Sequence, residues 1–232
     1  MNAINKNDLK FKHPTTCLIS GCTQSGKTIL TLRIVHDWQL LFQTDKSKFN
    51  VLWFYSQFQE KYKPVESATL KLIFAKGKPD EHIIDEVKPD LIILDDLMDQ
   101  LKDDPILSEY FTQGCHHRGV SVFFLVQNLF VKGQFMRTIS LNTHYFIMMK
   151  APRAVKQVEY FSRQIKKKNS KEDAEKIYER ATSSRPYSYL LIDLHPTSSY
   201  HTRYRSRITS AEVPPHLQVS DRKFTLPIIH KP

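Results

Sequence analysis

The sequence is poor in cysteine and contains no long hydrophobic run. Its three cysteines, Cys17, Cys22 and Cys115, give neither an even disulfide framework nor a CxxC pair, so a zinc site is disfavoured and a reducing compartment is expected. Apolar runs such as Val122 to Val126 are far shorter than the roughly 20 residues of a membrane span, so we expect no membrane partner. The opening stretch MNAINKNDLKFK has no apolar segment either, and we expect a protein that is not secreted.

Acidic residues are scarce in only one part of the chain, its last third. Residues 1–149 carry 17 lysines and arginines against 16 aspartates and glutamates, whereas residues 150–232 carry 17 against 8. Nearly all of the formal net charge of +10 therefore lies in the last third. This bias favours a polyanionic partner, with nucleic acid ahead of an anionic membrane, although a solvated basic face without a ligand has the same composition.

The alternation of apolar and helical segments predicts an α/β fold. Strands are predicted at residues 15–20, 51–56, 91–96, 120–127, 143–149 and 188–194, with a further short strand in LKLIFA. Helices are predicted at residues 27–42, across PILSEYFTQGCHHRG, at 152–165 and at 171–181. Continuous apolar strands suit a parallel sheet covered on both faces, so the expected architecture has three layers with a mostly parallel sheet. We expect an amino-terminal arm at 1–12, one domain at 13–195 and a basic carboxyl-terminal tail at 196–232.

The stretch GCTQSGKT lies between a predicted strand and a predicted helix, as a phosphate-binding loop does. Its backbone N–H groups are suited to wrap the β-phosphate, and the helix amino terminus adds partial positive charge. Lys27 is predicted to contact the β- and γ-phosphates, and the Thr28 hydroxyl to bind Mg²⁺. The alternative is an ordinary glycine turn with a surface lysine. The residues predicted to bind the nucleotide are Gly21, Cys22, Thr23, Gln24, Ser25, Gly26, Lys27 and Thr28, with ATP and Mg²⁺ as the cofactors.

Polar residues end the next two core strands along the chain. Asp95 is predicted to hold Mg²⁺ through water, beside Thr28, and Asp96 to orient or deprotonate the attacking water. Aspartates also occur in helix caps and turns, which is the alternative for both. Gln127 ends the strand VSVFFLVQ and is predicted to orient water or to sense the γ-phosphate, unless it only meets solvent at a strand end. These residues predict an ATP hydrolase with the three-layer fold of a RecA-like (ASCE) P-loop NTPase.

Four stretches together resemble the FtsK–HerA superfamily of DNA-pumping ATPases. GCTQSGKT matches Walker A, LIILDD matches Walker B, a glutamine ends HRGVSVFFLVQN, and QFMRTISLNTHYFIMMK is similar to the segment that follows. The resemblance covers roughly residues 13–195 and is strongest to viral genome-packaging ATPases of adintoviruses and Polinton elements, and more distant to that of poxviruses. It implies a homo-oligomeric ring, a hexamer, that drives double-stranded DNA through a pore into a capsid. Capsid vertex proteins as partners, and a place in the host nucleus or at the virion assembly site, are further expectations.

In such rings an arginine from one subunit completes the neighbouring site, because transition-state charge on the γ-phosphoryl group needs a cation. Arg118 is the first candidate and Arg137 the second, although an arginine beside a glycine turn often only caps a helix. Many relatives carry glutamate where this chain has Asp96. Because aspartate has the shorter side chain and reaches less far, the sequence supports the assignment of Asp96 as general base less strongly. No DNA-orienting domain is recognisable. DNA contacts must then come from core loops or from the basic residues Arg163, Lys166, Lys167, Lys168, Arg203, Arg205 and Arg207, the last three of which equally suit a solvated strand face.

Three other functions stay open at the level of sequence. A P-loop nucleotide or nucleoside kinase has a similar size, but it needs a lid with several arginines, and it leaves the basic last third unexplained. A helicase or another DNA pump of the same superfamily would keep the motor and change its task. A DNA-binding scaffold with a decayed site is opposed by the intact lysine, threonine and aspartates of the two motifs.

Overall fold

The strands form one large sheet and one small sheet. The computed structural model describes residues 6–114, 118–129, 133–151, 157–159, 174–183, 185–212, 216–219 and 222–225. The strands are β1 Phe11–Lys12, β2 Thr16–Ser20, β3 Phe42–Gln43, β4 Phe49–Tyr55, β5 Val65–Glu66, β6 Leu70–Lys76, β7 Leu91–Asp95, β8 Ser121–Val126, β9 Tyr145–Met149, β10 Tyr189–Asp193, β11 Tyr204–Ser206, β12 His216–Val219 and β13 Arg222–Thr225.

Helices connect these strands. The α-helices are α1 Lys27–His36, α2 Trp38–Leu41, α3 Glu81–Val87, α4 Met98–Leu101, α5 Pro105–Glu109, α6 Met136–Leu141 and α7 Ala174–Thr182. The helix predicted at 27–42 is divided at Asp37, and the helix predicted from Pro105 continues after α5 as a π-helical turn, Tyr110–Gly114. The described part of the helix predicted at 171–181 agrees with α7.

The large sheet has a parallel centre and antiparallel margins. Its order is β5-β6-β4-β7-β8-β2-β9-β10-β11-β12-β13. The strands from β6 to β9 in this order are parallel, whereas β5 and the strands from β10 to β13 pair antiparallel with their neighbours. The expected mostly parallel sheet is therefore confirmed for the centre, and the whole sheet is mixed. The last strands differ because an apolar strand sequence does not encode the direction of pairing.

Two hydrophobic cores cover the two faces of the sheet. Successive side chains of a strand point to opposite faces. Accordingly Ile93 packs in the core that contains Ile34 of α1, and Leu94 packs in the core that contains Ile84 of α3 and Leu107 of α5. All five side chains of β7 are buried, which explains its continuous apolar run. The predicted three-layer architecture is confirmed.

Parts of the predicted amino-terminal arm and of the predicted carboxyl-terminal tail pack onto the core domain. Phe11 is buried against the rings of Phe42, Phe123 and Tyr145. Strand β11 extends the sheet beside β10. The boundaries at 12/13 and 195/196 stay predictions.

The arginine alternation around β11 is not a solvated strand face. Arg205 is buried, and its guanidinium donates to Asp193 Oδ2 at 2.6 Å. Burial of a charge is tolerated only with a partner, so Arg205 serves the core and does not contact DNA. Arg203 is partly exposed, with its guanidinium 4.9 Å from the ring centre of Tyr200.

Several predictions fall outside the described residues. They are the helix at 152–165 for its larger part, Cys115, and the basic residues Arg163, Lys166, Lys167 and Lys168. Among the residues that the structure describes, no helix combines the length and the apolar character that crossing a membrane requires.

Candidate active site

The predicted site residues meet at the carboxyl edge of the parallel strands. Ser20 of β2 pairs with Val126 of β8, and Asp95 of β7 pairs with Leu125 of the same strand. The loop that follows β2, the aspartates at the end of β7 and Gln127 after β8 are therefore neighbours. This edge is the usual place for ligands in open α/β sheets.

The loop at Gly21 to Gly26 has a backbone that needs glycine at both ends. A Cβ on Gly21 would lie 2.5 Å from Ser25 Oγ and 2.7 Å from Met149 Cβ. Gly26 has a φ of 94°, in the left-handed region that side chains rarely adopt. The loop is thus compact enough for its N–H groups to approach a phosphate closely.

One buried hydroxyl in this loop fits an anion. Ser25 is 7% exposed, and its Oγ has no hydrogen-bond partner within the described part of the chain. A buried hydroxyl without a partner lowers the stability of the fold, because it has lost its hydrogen bonds to water and has gained none in return. A phosphate oxygen in the loop would give this donor a partner. The residues present therefore fit a bound phosphate chain.

Lys27 begins α1 and folds back over the loop. Its Nζ donates to the carbonyl oxygen of Gly21 at 2.5 Å and to that of Cys22 at 3.1 Å. Burial lowers the pKa of Lys27, while the nearby charge of Asp95 opposes that shift. The ammonium group is thus held at the mouth of the loop, where the lysine of a phosphate-binding loop is needed.

Asp95 is the centre of a buried hydrogen-bond group. Its Oδ2 accepts from Thr28 Oγ1 at 3.0 Å and from the Tyr62 hydroxyl at 2.8 Å. Burial raises the pKa of Asp95, and the two hydrogen bonds and the charge of Lys27 oppose the rise. Burial and the adjacent carboxylate also raise the pKa of Tyr62 far above its usual range, so its hydroxyl remains a donor. The two predicted magnesium ligands, Thr28 and Asp95, are therefore in direct contact.

Asp96 and Gln127 lie together on the exposed side of the site. Gln127 Nε2 is 3.4 Å from Asp96 Oδ1, and both side chains are exposed. Asp96 has a φ of 57°, a left-handed conformation that aspartate tolerates better than most residues and that recurs at functional sites. A carboxylate and an amide in contact with solvent are suited to bind one water between them.

The sequence did not reveal Tyr62. It lies in the polar segment after β4, with no motif around it. Its ring packs 5.0 Å from the ring of Tyr55 and 5.1 Å from that of Phe74. The recurrence of aromatic residues at Tyr55, Phe58 and Tyr62 was a signal for packing, but it did not indicate contact with Asp95.

Arg118 is not brought to this site within one chain. It precedes β8, whereas Gln127 follows the other end of that strand, and six extended residues span about 20 Å. Arg118 instead pairs with Glu81, its Nη1 lying 2.5 Å from Glu81 Oε2. Arg137, at the start of α6, is exposed. A role for either arginine in a neighbouring subunit stays a prediction.

The donors at this site suit Mg²⁺ better than a transition metal. Within the described ranges, no group of three or more His, Cys, Asp or Glu side chains forms a metal cluster. A site with one carboxylate and one hydroxyl is typical for Mg²⁺, which takes its other ligands from phosphates and water.

Comparison with known proteins identifies the fold. No family model matches the chain, and no curated protein matches it. The structure is similar to that of the genome packaging NTPase B204 from Sulfolobus turreted icosahedral virus 2 in complex with sulfate, with a TM-score of 0.52 and 12% identity, over 80% of this chain and 94% of that chain. The same protein in complex with ATP-gammaS gives a TM-score of 0.51 at 12% identity, over 80% and 95%. At this identity the comparison shows a shared fold, that of P-loop NTPases.

Proposed function

We propose that this chain hydrolyses ATP to move double-stranded DNA into the capsid of a virus or a virus-like element. One observation carries the proposal: Lys27, the Thr28–Asp95 pair and the Asp96–Gln127 pair converge at one edge of the sheet. The shared fold with a genome packaging NTPase supports it. The basic last third of the chain supports a nucleic-acid partner.

Each side chain has a defined task in hydrolysis. Lys27 and the loop N–H groups bind the triphosphate and neutralise its charge. Thr28 and Asp95 would hold Mg²⁺, which when bound would withdraw charge from the phosphate chain. Asp96 accepts a proton from the attacking water, and Gln127 orients that water toward phosphorus. Water and ATP give ADP and phosphate, and the proton passes to solvent through Asp96.

Tyr62 is assigned a positioning role in this mechanism. If Thr28 Oγ1 were to bind Mg²⁺, Asp95 would lose one of its two donors and would keep the hydroxyl of Tyr62. That remaining hydrogen bond would hold the carboxylate in its orientation. Outer partners of this kind fix the direction of a metal ligand.

The assembly and the setting belong to the same proposal. We place the chain in the FtsK–HerA superfamily, with the adintovirus and Polinton packaging ATPases as the nearest type, working as a hexameric ring. An arginine of one subunit, Arg118 before Arg137, completes the site of the next. The ring docks on capsid vertex proteins in the host nucleus or at the virion assembly site.

ATP turnover with and without DNA tests the proposal. We expect phosphate release from purified chain to rise when linear duplex DNA is added, and to be abolished in Lys27→Ala, with the fold of the variant checked by circular dichroism. Turnover stimulated by a nucleoside, with transfer of phosphate to it and indifference to DNA, would instead identify a kinase. Near-normal hydrolysis by Lys27→Ala would refute the site itself.

A further inference from the structure

The loop before β10 holds an aromatic side chain against the phosphate-binding loop. A Cβ built on Gly26 would lie 3.1 Å from Tyr187 Cδ1 and 3.3 Å from Tyr187 Cβ. Tyr187 is nevertheless 65% exposed, so most of its side chain is in contact with solvent. A large, mostly exposed aromatic side chain beside the phosphate loop has the position and shape of a platform for a planar ligand group.

The backbone at Tyr187 is held in an unfavourable conformation. Its φ is 60°, in the left-handed region, where a bulky residue is a genuine outlier. Such strain persists only where neighbouring structure imposes it, and it concentrates at functional sites. Glycine would avoid the strain at this exposed position, so the presence of a tyrosine indicates a role for its side chain.

Hydrogen bonds around the loop impose this conformation. Ser188 Oγ donates to the carbonyl oxygen of Thr182 at 2.9 Å and to that of Arg185 at 2.7 Å. The backbone N–H of Lys150 donates to the Ser188 carbonyl at 2.7 Å. The loop is thereby tied to α7 and to the end of β9, and Tyr187 is preorganised.

The direction of a bound nucleotide follows from the strand order. The pair Thr28–Asp95 lies toward β7, which fixes the metal-bound, γ-phosphate end of a triphosphate on that side of the loop. Tyr187 lies on the other side, because Tyr189 of β10 pairs with Met149 at the end of β9. Two strand spacings, about 10 Å, separate β2 from β10. The nucleoside end therefore points toward Tyr187.

We propose that Tyr187 is the base-binding residue of the site, stacking its exposed ring on the base of a nucleoside triphosphate. This inference rests on the proposed nucleotide site and adds to it the group that recognises the nucleoside. Stacking depends on the flat face that every base has, so Tyr187 is expected to accept any base. Purines should bind best because their rings are larger.

Binding of ATP compared with binding of inorganic tripolyphosphate tests the inference, because tripolyphosphate has no base. We expect Tyr187→Ala to weaken ATP binding in the presence of Mg²⁺ by about 5- to 150-fold, the range for loss of one base–aromatic stack. Tripolyphosphate affinity is expected to stay at the wild-type level. Tyr187→Phe keeps the ring and is expected to bind both ligands as the wild type does.

A glycine variant separates a binding role from a structural one. Tyr187→Gly relieves the backbone strain, so its unfolding temperature is expected to equal or exceed that of the wild type while ATP binding is weak. Lys88→Gly is the matched control, since Lys88 also has a positive φ, 47°, and ends α3. That variant is expected to gain stability and to bind ATP normally.

The outcomes distinguish this inference from the proposed function. If the wild type binds ATP and Tyr187→Ala binds it equally well, the platform is refuted and the phosphate site survives. Equal weakening of ATP and tripolyphosphate would also refute the platform, since Tyr187 would then only shape the loop. If the wild type binds neither ligand, the phosphate site and the platform both fail.

Discussion

At the scale of single residues, Asp95 connects the phosphate loop to a residue from a different segment. Tyr62 donates to the same carboxylate oxygen as Thr28. We predict that Tyr62→Phe reduces ATP turnover by about 10- to 100-fold at low Mg²⁺, because the metal ligand loses its orienting partner. Raising Mg²⁺ should recover part of the loss. Turnover measured as a function of Mg²⁺ concentration checks this.

A matched variant controls for the loss of a tyrosine hydroxyl. The hydroxyl of Tyr110 donates to Glu81 at 2.9 Å, and Glu81 is not one of the predicted magnesium ligands. Tyr110→Phe is expected to leave the dependence on Mg²⁺ unchanged. If both variants behave alike, Tyr62 has no specific role at the metal ligand.

Asp95 also has a predictable effect on stability. Its pKa is raised by burial in the folded protein, so its stabilising contribution is complete below its unfolded pKa of about 3.9 and is lost as pH rises through the higher folded value. Without nucleotide at pH 8, the fold bears the cost of a buried charge. We predict that Asp95→Asn, which keeps an oxygen acceptor for Thr28 and Tyr62, then unfolds at the same or a higher temperature than the wild type.

The advantage of the asparagine should shrink toward pH 4, where the wild-type carboxyl becomes protonated. Thermal unfolding across this pH range measures it. Asp96→Asn is the control, because Asp96 is exposed and the substitution should give no such trend. An Asp95→Asn protein that is less stable than the wild type by the same margin at every pH would contradict the prediction.

Local sequence motifs were enough to predict that five side chains are neighbours: Lys27, Thr28, Asp95, Asp96 and Gln127. Asp95, Asp96 and Gln127 lie at or next to a strand end that an apolar run identifies, and Lys27 and Thr28 follow the end of β2 after one short loop. Tyr62 and Tyr187 were not predictable in the same way. Tyr62 lies in a segment without a strand or motif signal, and Tyr187 precedes the strand predicted at 188–194 without any motif around it. Only the fold brings these two side chains to the site.

At the scale of elements, the sequence located the core strands but not their directions. Strand β7 was predicted at 91–96 and lies at Leu91–Asp95, since its apolar run ends in carboxylates. Strand β10 was predicted at 188–194, but its antiparallel pairing was not, because the direction of pairing depends on chain reversals that apolar patterning does not specify. Strands β12 and β13 were not predicted. The sequence likewise did not predict the burial of Arg205, because its partner, Asp193, lies in another strand.

This buried pair allows a prediction about β11. We predict that Arg205→Met lowers the free energy of unfolding by about 3–5 kcal/mol, because Asp193 is left buried without its counter-charge. The double variant Asp193→Asn, Arg205→Met should recover part of this loss, since no buried charge remains. Chemical denaturation measures both.

Arg203→Met is the matched control for β11. Arg203 is partly exposed and contacts the ring of Tyr200, so its replacement should cost much less. Equal losses for Arg203→Met and Arg205→Met would mean that the ion pair with Asp193 does not anchor the strand.

At the scale of the whole molecule, the proposed ring would place an arginine of one subunit at the site of the next. Arg118 lies at the opposite end of β8 from Gln127 and pairs with Glu81, both side chains being nearly half exposed. We predict that Arg118→Ala is inactive alone but regains part of its ATP turnover when mixed with Lys27→Ala. Mixed rings then contain some sites with both an intact loop and an intact neighbouring arginine.

The control mixture combines Lys27→Ala with Asp95→Asn. Both variants damage the same site within one chain, so every site in a mixed ring lacks either the lysine or the aspartate. No recovery is expected from this mixture at any ratio. If the mixture of Arg118→Ala with Lys27→Ala regains no ATP turnover at any ratio, Arg118 is excluded as the shared residue. Arg137 would then be the remaining candidate.

The most direct measurement follows movement along DNA. A duplex that carries a third strand, bound in its major groove, is incubated with the purified chain and ATP. We predict that the third strand is displaced only with hydrolysable ATP and an intact Lys27, while the two duplex strands remain paired. Separation of the duplex strands would indicate a helicase, and hydrolysis without displacement of the third strand would contradict DNA translocation.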